Sequence, residues 1–399
     1  MTIETICSLC LKAVTNVGYN ESTIRNYRGV IKRFKKFCSD HDAVDYSCGI
    51  GKLYADDVIS SKTGKFSNNR YHTQGRFVRL IDSYFISGEF DFSIAKRDQI
   101  LPTNQKHKVI YENYQKYLHS IYDNENTVHF YEYGMYCVLE FLNELKICDL
   151  SNLQSHTVVR YISETKISRQ REVLCELRGI FRYLKREDLL TAVAGIHAPR
   201  IKRIIPTLTE DEREKIEEVI TEGNVSLRDA AIVTTGLSCG IRSCDLIKLK
   251  LTDINWNNET ITFRQSKTGN FVCLPLTTSV GNSIAKYIVE ERPKVSSDVL
   301  FLRSLAPYTP FTGHASCYAV VKKVLQTAGI TKGSRIWGMH FLRHNSASTM
   351  VKNEVPIETI AAILGHSTPD STDIYITTDA KMLKECVLPM GNISTEVNS

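Results

Sequence analysis

The chain has 399 residues, twelve cysteines, a formal net charge of +6 and 42% hydrophobic residues. These values are typical of two or three soluble domains and exclude disordered and fibrous proteins. No uninterrupted apolar run approaches the ~20 residues that a membrane-spanning helix requires, which excludes a transmembrane protein. Glu4 stands where a secretory signal would carry a basic residue, and irregularly spaced cysteines are typical of reduced thiols. We therefore expect a cytoplasmic protein without disulfides.

The basic surplus is concentrated in the first half of the chain. Lys plus Arg exceed Asp plus Glu by 28 to 23 in residues 1–200, and by 22 to 21 in residues 201–399. A surplus of this size permits a polyanionic partner, although solubility alone also explains it. Arg and Lys are interleaved with aromatic residues in 27–36 and 169–186, which favours helices lying against a nucleic acid backbone. Helices of ordinary soluble bundles carry similar faces.

The first two hundred residues contain a pattern that occurs twice. Four residues at helical spacing recur at an offset of 104, and a second echo relates 79–85 to 178–184 at an offset of 99. The first set is Thr23, Tyr27, Phe34 and Phe37, which recurs as Thr127, Tyr131, Val138 and Phe141. We predict two copies of one small helical bundle, an N-terminal domain over 1–100 and a second domain over 108–198. Chance similarity between amphipathic helices is the alternative.

Two stretches are predicted to connect these segments to their neighbours. Residues 100–108 contain Pro102 and several polar residues, and residues 197–206 form a basic run with two prolines. The second stretch is either a segment that lies along a phosphate backbone or a plain solvated linker. It is followed by Thr209 and Glu212, whose spacing predicts a capping box at the start of a helix.

Beyond this linker the sequence predicts a mixed α+β domain over 206–390 and a tail over 391–399. Residues 260–264 and 270–274 alternate with period two around a Gly-containing turn, which predicts an antiparallel β-hairpin. The predicted fold class is therefore mainly α with a small antiparallel β-sheet. Helices are predicted at about 209–223, 226–236, 244–249, 279–291, 314–328, 341–352, 356–364 and 378–386.

Two candidates for chemistry lie near the predicted hairpin. Arg242 and Asp245 are three residues apart, so one helical turn brings them alongside each other. Lys267 lies in the hairpin turn, where an ammonium can reach into a groove and deliver a proton to a leaving oxygen. The string Ser-Lys-Thr-Gly at 266–269 also occurs at 61–64 outside a hairpin, so only its context makes Lys267 a candidate.

Further candidates lie in the last sixty residues. His340 and Arg343 are one turn apart on the same face of a predicted helix. Gly365 is predicted to end the next helix, so that His366 emerges at a turn, and Tyr375 follows nine residues later. Each of these residues taken alone is better explained as an ordinary core or surface side chain.

The ordered set of these residues resembles the catalytic positions of the tyrosine recombinase (phage integrase) family. The resemblance covers about residues 205–390 and, more loosely, the helical segment before them, and all six catalytic positions are filled. It implies helical DNA-clamping domains followed by a mixed α+β catalytic domain. The matching motifs are Gly-Ile-Arg242-Ser-Cys-Asp245, Lys267 in the hairpin, His340-Phe-Leu-Arg343-His344, Leu364-Gly365-His366 and Tyr375.

The resemblance implies an enzyme that cuts and rejoins DNA at specific sites. A phosphodiester repels nucleophiles because it is anionic, and its charge grows on the non-bridging oxygens as phosphorus becomes five-coordinate. Arg242 and Arg343 would clamp those oxygens, since each guanidinium is permanently charged and offers parallel donors. His366 would donate a further hydrogen bond to the phosphate, and Asp245 would hold the region of Arg242.

The same resemblance assigns the nucleophile and the proton transfers. Tyr375 would attack phosphorus and form a 3′-phosphotyrosine, expelling the 5′ oxygen of the broken strand. A phenol has a reference pKa of about 10 and needs a base, for which His340 is the candidate. Lys267 would protonate the departing 5′ hydroxyl.

The covalent link would conserve the energy of the broken bond, so resealing would need no ATP. The sequence contains no phosphate-binding G-x-x-x-x-G-K-[ST] motif, and we expect neither a cofactor nor a catalytic metal. Cys7 and Cys10 form a short paired-cysteine motif, for which two thiols on one helix face are favoured over a zinc site. The expected partners are double-stranded DNA, further copies of the chain in a synaptic homo-tetramer, and an accessory directionality protein.

The expected setting is a mobile genetic element, whose integrase or transposase would associate with the nucleoid. A type IB topoisomerase is the nearest rival, because it uses the same nucleophile and similar cations but relaxes supercoils as a monomer. A DNA-binding architectural protein with a decayed active site is the rival from another class.

The chain departs from many integrases in having residues 1–100 instead of a short arm-binding domain, and these residues could contact DNA, contact another protomer or serve only as structure. The tail after Tyr375 is expected to dock on a neighbouring protomer.

Overall fold

The computed structural model describes residues 1–60, 63–93, 101–198 and 206–365. These residues fall into two compact units, one made of residues 1–93 and the described residues after 203, the other of residues 101–198. The division into domains over 1–100, 108–198 and 206–390 stays a prediction. None of the helices in the described ranges is long and apolar enough to cross a membrane.

Residues 1–93 form four helices around one aromatic core. Side-chain oxygens at each N-cap accept a hydrogen bond from the first turn, which explains why the helices begin where they do. Phe34 lies at the centre of the core, with ring centroids 5.0 Å from Tyr54 and 5.3 Å from Phe77. The helices are α1 (Ile3–Asn16), α2 (Glu21–Asp40), α3 (Cys48–Asp56) and α4 (Asn68–Ser87).

The paired cysteines of α1 belong to this core. Cys7 and Cys10 are both buried, and burial raises the pKa of each thiol to about 12. Both side chains pack in the hydrophobic core on one face of α1.

Residues 101–198 form a separate helical unit with its own hydrophobic core. Helices pack closely where Gly179 faces Tyr131, because a Cβ at position 179 would lie 2.6 Å from the Tyr131 ring. The helices are α5 (Gln105–Ile121), α6 (Glu125–Glu144), α7 (Ser155–Glu164), α8 (Gln170–Leu184) and α9 (Glu187–Ala194).

Helices α2 and α6 match each other at the offset of 104 that the sequence shows. Both contain 20 residues, and both are capped by an asparagine side chain, Asn20 in one and Asn124 in the other. Phe34 and Val138, which correspond at this offset, are both buried. The duplication of a whole bundle stays a prediction, but these two helices begin and end at corresponding positions.

The described residues from 206 onward form helices that pack mainly on α11 (Leu227–Cys239), together with a three-stranded antiparallel sheet of order β1-β2-β3. In the register of the central hairpin, Ile261 pairs with Leu274 and Phe263 with Val272, so four apolar side chains face the core. The elements are α10 (Glu210–Thr221), α11 (Leu227–Cys239), α12 (Ser243–Leu246), β1 (Ile254–Asn255), β2 (Thr260–Arg264), β3 (Phe271–Pro275), α13 (Thr278–Lys286), α14 (His314–Thr327), α15 (Met339–Lys352) and α16 (Ile357–Leu364).

The fold class, mainly α with a small antiparallel sheet, is confirmed, and so are the hairpin and the capping box of Thr209 and Glu212. The structure corrects three details, one of which is that the helix predicted over 244–249 spans only Ser243–Leu246. The predicted connection 100–108 is helical from Gln105, because Asn104 accepts a hydrogen bond from Lys106 N and caps α5. The helix predicted over 279–291 is α-helical only to Lys286 and continues as a π-helical turn.

Candidate active site

A glycine at the end of α11 places Arg242. Gly240 has a φ of +60° and closes α11 as a left-handed C-cap. An added Cβ at Gly240 would lie 2.8 Å from Leu364 Cδ2 and 3.2 Å from Ser346 Oγ. Only glycine suits both the backbone conformation and this close approach, and the chain then turns so that Arg242 becomes the N-cap of α12.

The side chain of Arg242 is half-buried and held by two acceptors. Its Nη1 donates to Gln265 Oε1 at 2.5 Å, and its Nη2 donates to the carbonyl oxygen of Gly365 at 3.1 Å. The two acceptors come from the hairpin and from the end of α16. The guanidinium is therefore oriented by parts of the chain that are far apart in sequence.

Arg343 is only 5% exposed and projects from α15 to the ends of two other helices. Its Nη1 donates to Gly240 O and its Nη2 to Leu364 O, both at 2.8 Å. These carbonyls lie at the negative ends of the α11 and α16 dipoles, which stabilise a buried cation. Arg242 and Arg343 thus bind the adjacent carbonyls of Gly365 and Leu364, so the structure brings the two predicted guanidiniums together.

Lys267 is exposed in the turn between β2 and β3. Gln265 N donates to Asn270 O, and Gly269 N donates to Gln265 O, both at 2.9 Å, which closes the turn. Asp245 Oδ1 accepts from Ser266 N at 2.7 Å, next to Lys267. The hairpin that carries Lys267 is therefore attached to α12.

Asp245 contacts the hairpin that carries Lys267. The residue is 3% exposed, and the acceptors of Arg242 are Gln265 Oε1 and Gly365 O. Its hydrogen bonds come from Ser266 N and from the Cys244 thiol. Its position supports the hairpin of Lys267 directly and the region of Arg242 only through the backbone of α12.

His340 lies at the surface of α15 against a second histidine. The Nε2 atoms of His340 and His344 are 2.9 Å apart, and the rings meet edge to face with centroids 4.4 Å apart. Partial burial of the imidazole against its neighbours and the charge of Arg343 lower the pKa of His340. Burial, followed by the charges of His340 and Arg343, lowers the pKa of His344 to about 4. Both rings are therefore neutral at pH 7, and one of them donates the shared proton.

We expect the protein to lose stability as the pH falls from about 6.5 towards 4, because His344 binds a proton more readily when unfolded. The unfolded reference pKa is about 6.5 and the folded pKa is about 4. The unfolded state holds more protons in this window, so stability rises with pH, by about 2–3 kcal/mol between pH 4.5 and pH 7. Urea unfolding at both pH values measures the effect. A His344→Gln variant should show a smaller difference, and an unchanged difference would contradict the assignment.

His366 and Tyr375 lie outside the described residues. The structure confirms the predicted end of α16, since Gly365 has a φ of +63° and caps the helix in the left-handed conformation. The described chain therefore ends at the carbonyl that binds Arg242, one residue before His366.

Sequence reasoning missed Gln265. This residue is 4% exposed and accepts from Arg242, although it carries no charge and matches no motif quoted from the sequence. It occupies the next inward position after Ile261 and Phe263, whose side chains are buried. A polar residue at an inward position of an alternating strand was the available signal.

The arrangement suits a tetrahedral or five-coordinate anion. Two oriented guanidiniums lie at one helix end, near the hairpin that carries an exposed ammonium, and a neutral imidazole lies one turn from Arg343. Preorganised charge of this kind stabilises an oxyanion without reorganisation during the reaction. Within the described ranges, no group of three or more His, Cys, Asp or Glu side chains is arranged to hold a metal ion.

Comparisons with known proteins identify sequences similar to this chain. A model of the phage integrase family matches residues 206–382. A protein of Sinorhizobium fredii, y4gC, described as an integrase/recombinase, is 33% identical over 194 residues, which cover 47% of this chain and 97% of that protein. A second protein of that organism, y4rF, with the same description, is 32% identical over 205 residues. The match covers 51% of this chain, which spans about half (48%) of the length of y4rF.

A solved structure has a similar fold. It is the XerH site-specific recombinase bound to a palindromic difH substrate in a post-cleavage complex, with a TM-score of 0.56. The match covers 71% of this chain and 88% of XerH at 19% sequence identity. The matched part is longer than residues 206–382, and the likeness concerns the fold.

Proposed function

Because the chain belongs to the phage integrase family, we propose that it is a site-specific DNA recombinase that cuts and rejoins DNA through a 3′-phosphotyrosine. One observation carries the proposal: Arg242 and Arg343 bind adjacent carbonyls at the end of α16. Two fixed cations at one point are what a phosphodiester requires as its negative charge grows. Removing one such donor typically costs ~3–4 kcal/mol of transition-state stabilisation.

In the proposed reaction, the phenolic oxygen of Tyr375 attacks the scissile phosphorus. The new O–P bond forms as the bond from phosphorus to the 5′ oxygen breaks. His340, neutral at pH 7 because its pKa is lowered, takes the phenolic proton, and Lys267 gives a proton to the departing 5′ oxygen. His366 donates a hydrogen bond to the phosphate. Attack by another 5′ hydroxyl reverses these steps and rejoins the strand.

The helical segments supply the proposed contacts to DNA. Lys plus Arg exceed Asp plus Glu by 13 to 10 in residues 1–93 but equal them, 12 to 12, in residues 101–198. Several arginines of 169–186 are engaged internally, since Arg169 pairs with Glu176 and Arg186 with Asp188. Helix α2, in contrast, carries an exposed basic face. We therefore assign phosphate contacts to α2 as well as to the clamp domain over 108–198.

We expect DNA affinity to fall steeply with salt, and a variant of α2 to reduce this dependence. Arg25, Lys32 and Lys36 are exposed at helical spacing along one face of α2. Each phosphate contact contributes about 0.9 to the slope of log affinity against log salt, so replacing all three residues with glutamine should reduce the slope by up to about 3. Binding titrations on duplex DNA at several salt concentrations measure the slope.

The matched control replaces three lysines outside α2 with glutamine. Lys294, Lys322 and Lys332 are exposed and lie outside α2. Their replacement by glutamine should leave the slope nearly unchanged. Equal slopes for the two triple variants would remove α2 from the DNA-binding surface.

The proposed setting is a mobile genetic element, for which the chain acts as integrase or transposase. Two duplexes are joined by a homo-tetramer, with an accessory protein that sets direction. Support comes from the family and from the two S. fredii relatives, which are described as integrase/recombinases. A monomeric type IB topoisomerase would relax supercoils without exchanging strands between two sites.

Covalent capture tests the proposed function. A pool of nicked duplexes of randomised sequence is incubated with the protein; cleavage near the nick releases a short fragment, so the covalent intermediate accumulates. Captured sequences are then placed on two plasmids. We expect a covalent adduct and strand exchange between the plasmids. Relaxation without exchange would favour the topoisomerase, and DNA binding without any adduct would favour an architectural protein.

A further inference from the structure

Gln265 connects the two guanidiniums of the candidate site. Its Oε1 accepts from Arg242 Nη1 at 2.5 Å and from Thr268 Oγ1 at 2.8 Å, and its Nε2 donates to Leu364 O at 3.0 Å. Arg343 Nη2 donates to the same Leu364 carbonyl at 2.8 Å. One amide and one carbonyl therefore join Arg242 to Arg343. The orientation of the amide is defined, because donors face its oxygen and a carbonyl faces its nitrogen.

The surroundings leave this amide little freedom. Gln265 is 4% exposed, and both polar atoms of its side chain are engaged. Gly365 has a φ of +63°, and an added Cβ there would overlap the amide group of Gln265. The end of α16 thus approaches the amide so closely that only glycine fits. Because the amide is confined in this way, it holds the Arg242 guanidinium that it binds in one orientation.

Gln265 is uncharged, which affects how strongly Arg242 can bind an anion. A carboxylate at this position would form a buried ion pair with Arg242 and would compete with an anionic ligand for the guanidinium. An amide oxygen orients the guanidinium through a hydrogen bond but leaves its full charge available. Glutamine therefore supplies the orientation that an acidic residue would supply, without neutralising the cation.

We propose that Gln265 is a positioning residue that orients the Arg242 guanidinium towards the scissile phosphate without neutralising its positive charge. This inference rests on the proposed function, because it requires a phosphate as the ligand of Arg242. Gln265 also accepts from Thr268, next to Lys267, so a role through the general acid is the competing explanation. The two roles predict opposite responses to chemical changes at the scissile phosphate.

The experiment compares three forms of one captured duplex, which carry an ordinary phosphodiester, a neutral methylphosphonate or a 5′-bridging phosphorothiolate at the scissile position. The methylphosphonate lacks the negative charge that Arg242 would neutralise. The leaving group of the phosphorothiolate is a 5′ thiolate, which needs no general acid. Adduct formation is measured for wild type, Gln265→Glu, Gln265→Met, Arg242→Ala and Lys267→Ala.

We expect Gln265→Glu to form adduct about 10²-fold more slowly than wild type on the phosphodiester, comparable to the loss of an oriented donor. On the methylphosphonate its deficit should shrink to a few-fold, in parallel with Arg242→Ala. On the phosphorothiolate the deficit should persist, whereas that of Lys267→Ala should disappear. Gln265→Met, which removes the hydrogen bonds without adding charge, should show a smaller deficit with the same substrate pattern.

The matched control is Gln326→Glu, which makes the same substitution at an exposed position on α14 and should react as wild type on all three substrates. Recovery of Gln265→Glu on the phosphorothiolate would assign its role to Lys267 and overturn the proposal. Equal deficits on all three substrates, or no deficit, would overturn it as well. Gln265→Met gives the same decision if Gln265→Glu fails to fold. If wild type forms no adduct on any duplex, the proposed function itself has failed.

Discussion

We expect Tyr375→Phe to form no covalent adduct with nicked duplex DNA and to bind the same duplex as tightly as wild type. The substitution removes one oxygen and retains the ring, so only the nucleophile is lost. The loss is expected to be complete, because water and neighbouring hydroxyls lack both the placement and the activating base that the phenol has in the proposed mechanism. Denaturing gels measure the adduct, and titrations measure the affinity.

The control for this variant is Tyr318→Phe, which removes a phenolic hydroxyl from an exposed tyrosine on α14. It should form adduct at the wild-type rate. An adduct that persists in Tyr375→Phe would assign the nucleophile to another residue.

Arg343→Lys is expected to reduce adduct formation by at least about 10²–10³-fold, the cost of one oriented oxyanion donor. An ammonium cannot reproduce the planar fork that binds Gly240 O and Leu364 O at once. Leu364 O keeps its hydrogen bond from Gln265 Nε2, whereas loss of the bond to the buried carbonyl of Gly240 would cost about 1–3 kcal/mol of folding stability. Adduct rates and urea unfolding separate the two effects.

Arg242→Lys should show a loss of rate similar to that of Arg343→Lys with a smaller loss of stability, because Arg242 is only half-buried. Arg335→Lys, in a residue that pairs with Glu212 at 2.7 Å, serves as the control and should retain the rate. If either Arg242→Lys or Arg343→Lys formed adduct at the wild-type rate, bidentate phosphate binding by that arginine would not be needed for cleavage.

The sequence predicted those parts of the fold that depend on local patterns. The alternation of 260–264 predicted β2 with the bounds that the structure shows, and Thr209 with Glu212 predicted the start of α10. Gly365 predicted the end of α16, since a left-handed cap favours glycine wherever it occurs. In each case the residues that decide the structure are within a few positions of one another.

Contacts between distant residues could not be predicted in this way. Arg242 meets the carbonyl of Gly365 across 123 positions, and Gln265 meets that of Leu364 across 99. Every residue has a backbone carbonyl, so the sequence could not indicate which carbonyls accept from the two guanidiniums. Strand β1 has only two residues, too few for an alternating pattern to show. The ordered set of charged residues indicated the chemistry, and the fold was needed to find the amide that joins them.

Mapping the linkage in the wild-type adduct tests the central claim most directly. Trypsin should release residues 353–381 as one peptide, and Tyr375 is its only tyrosine. After nuclease digestion, mass spectrometry should find nucleotide joined to this peptide through a phosphotyrosine. Nucleotide joined to any other peptide, or to a serine or threonine of this one, would contradict the account.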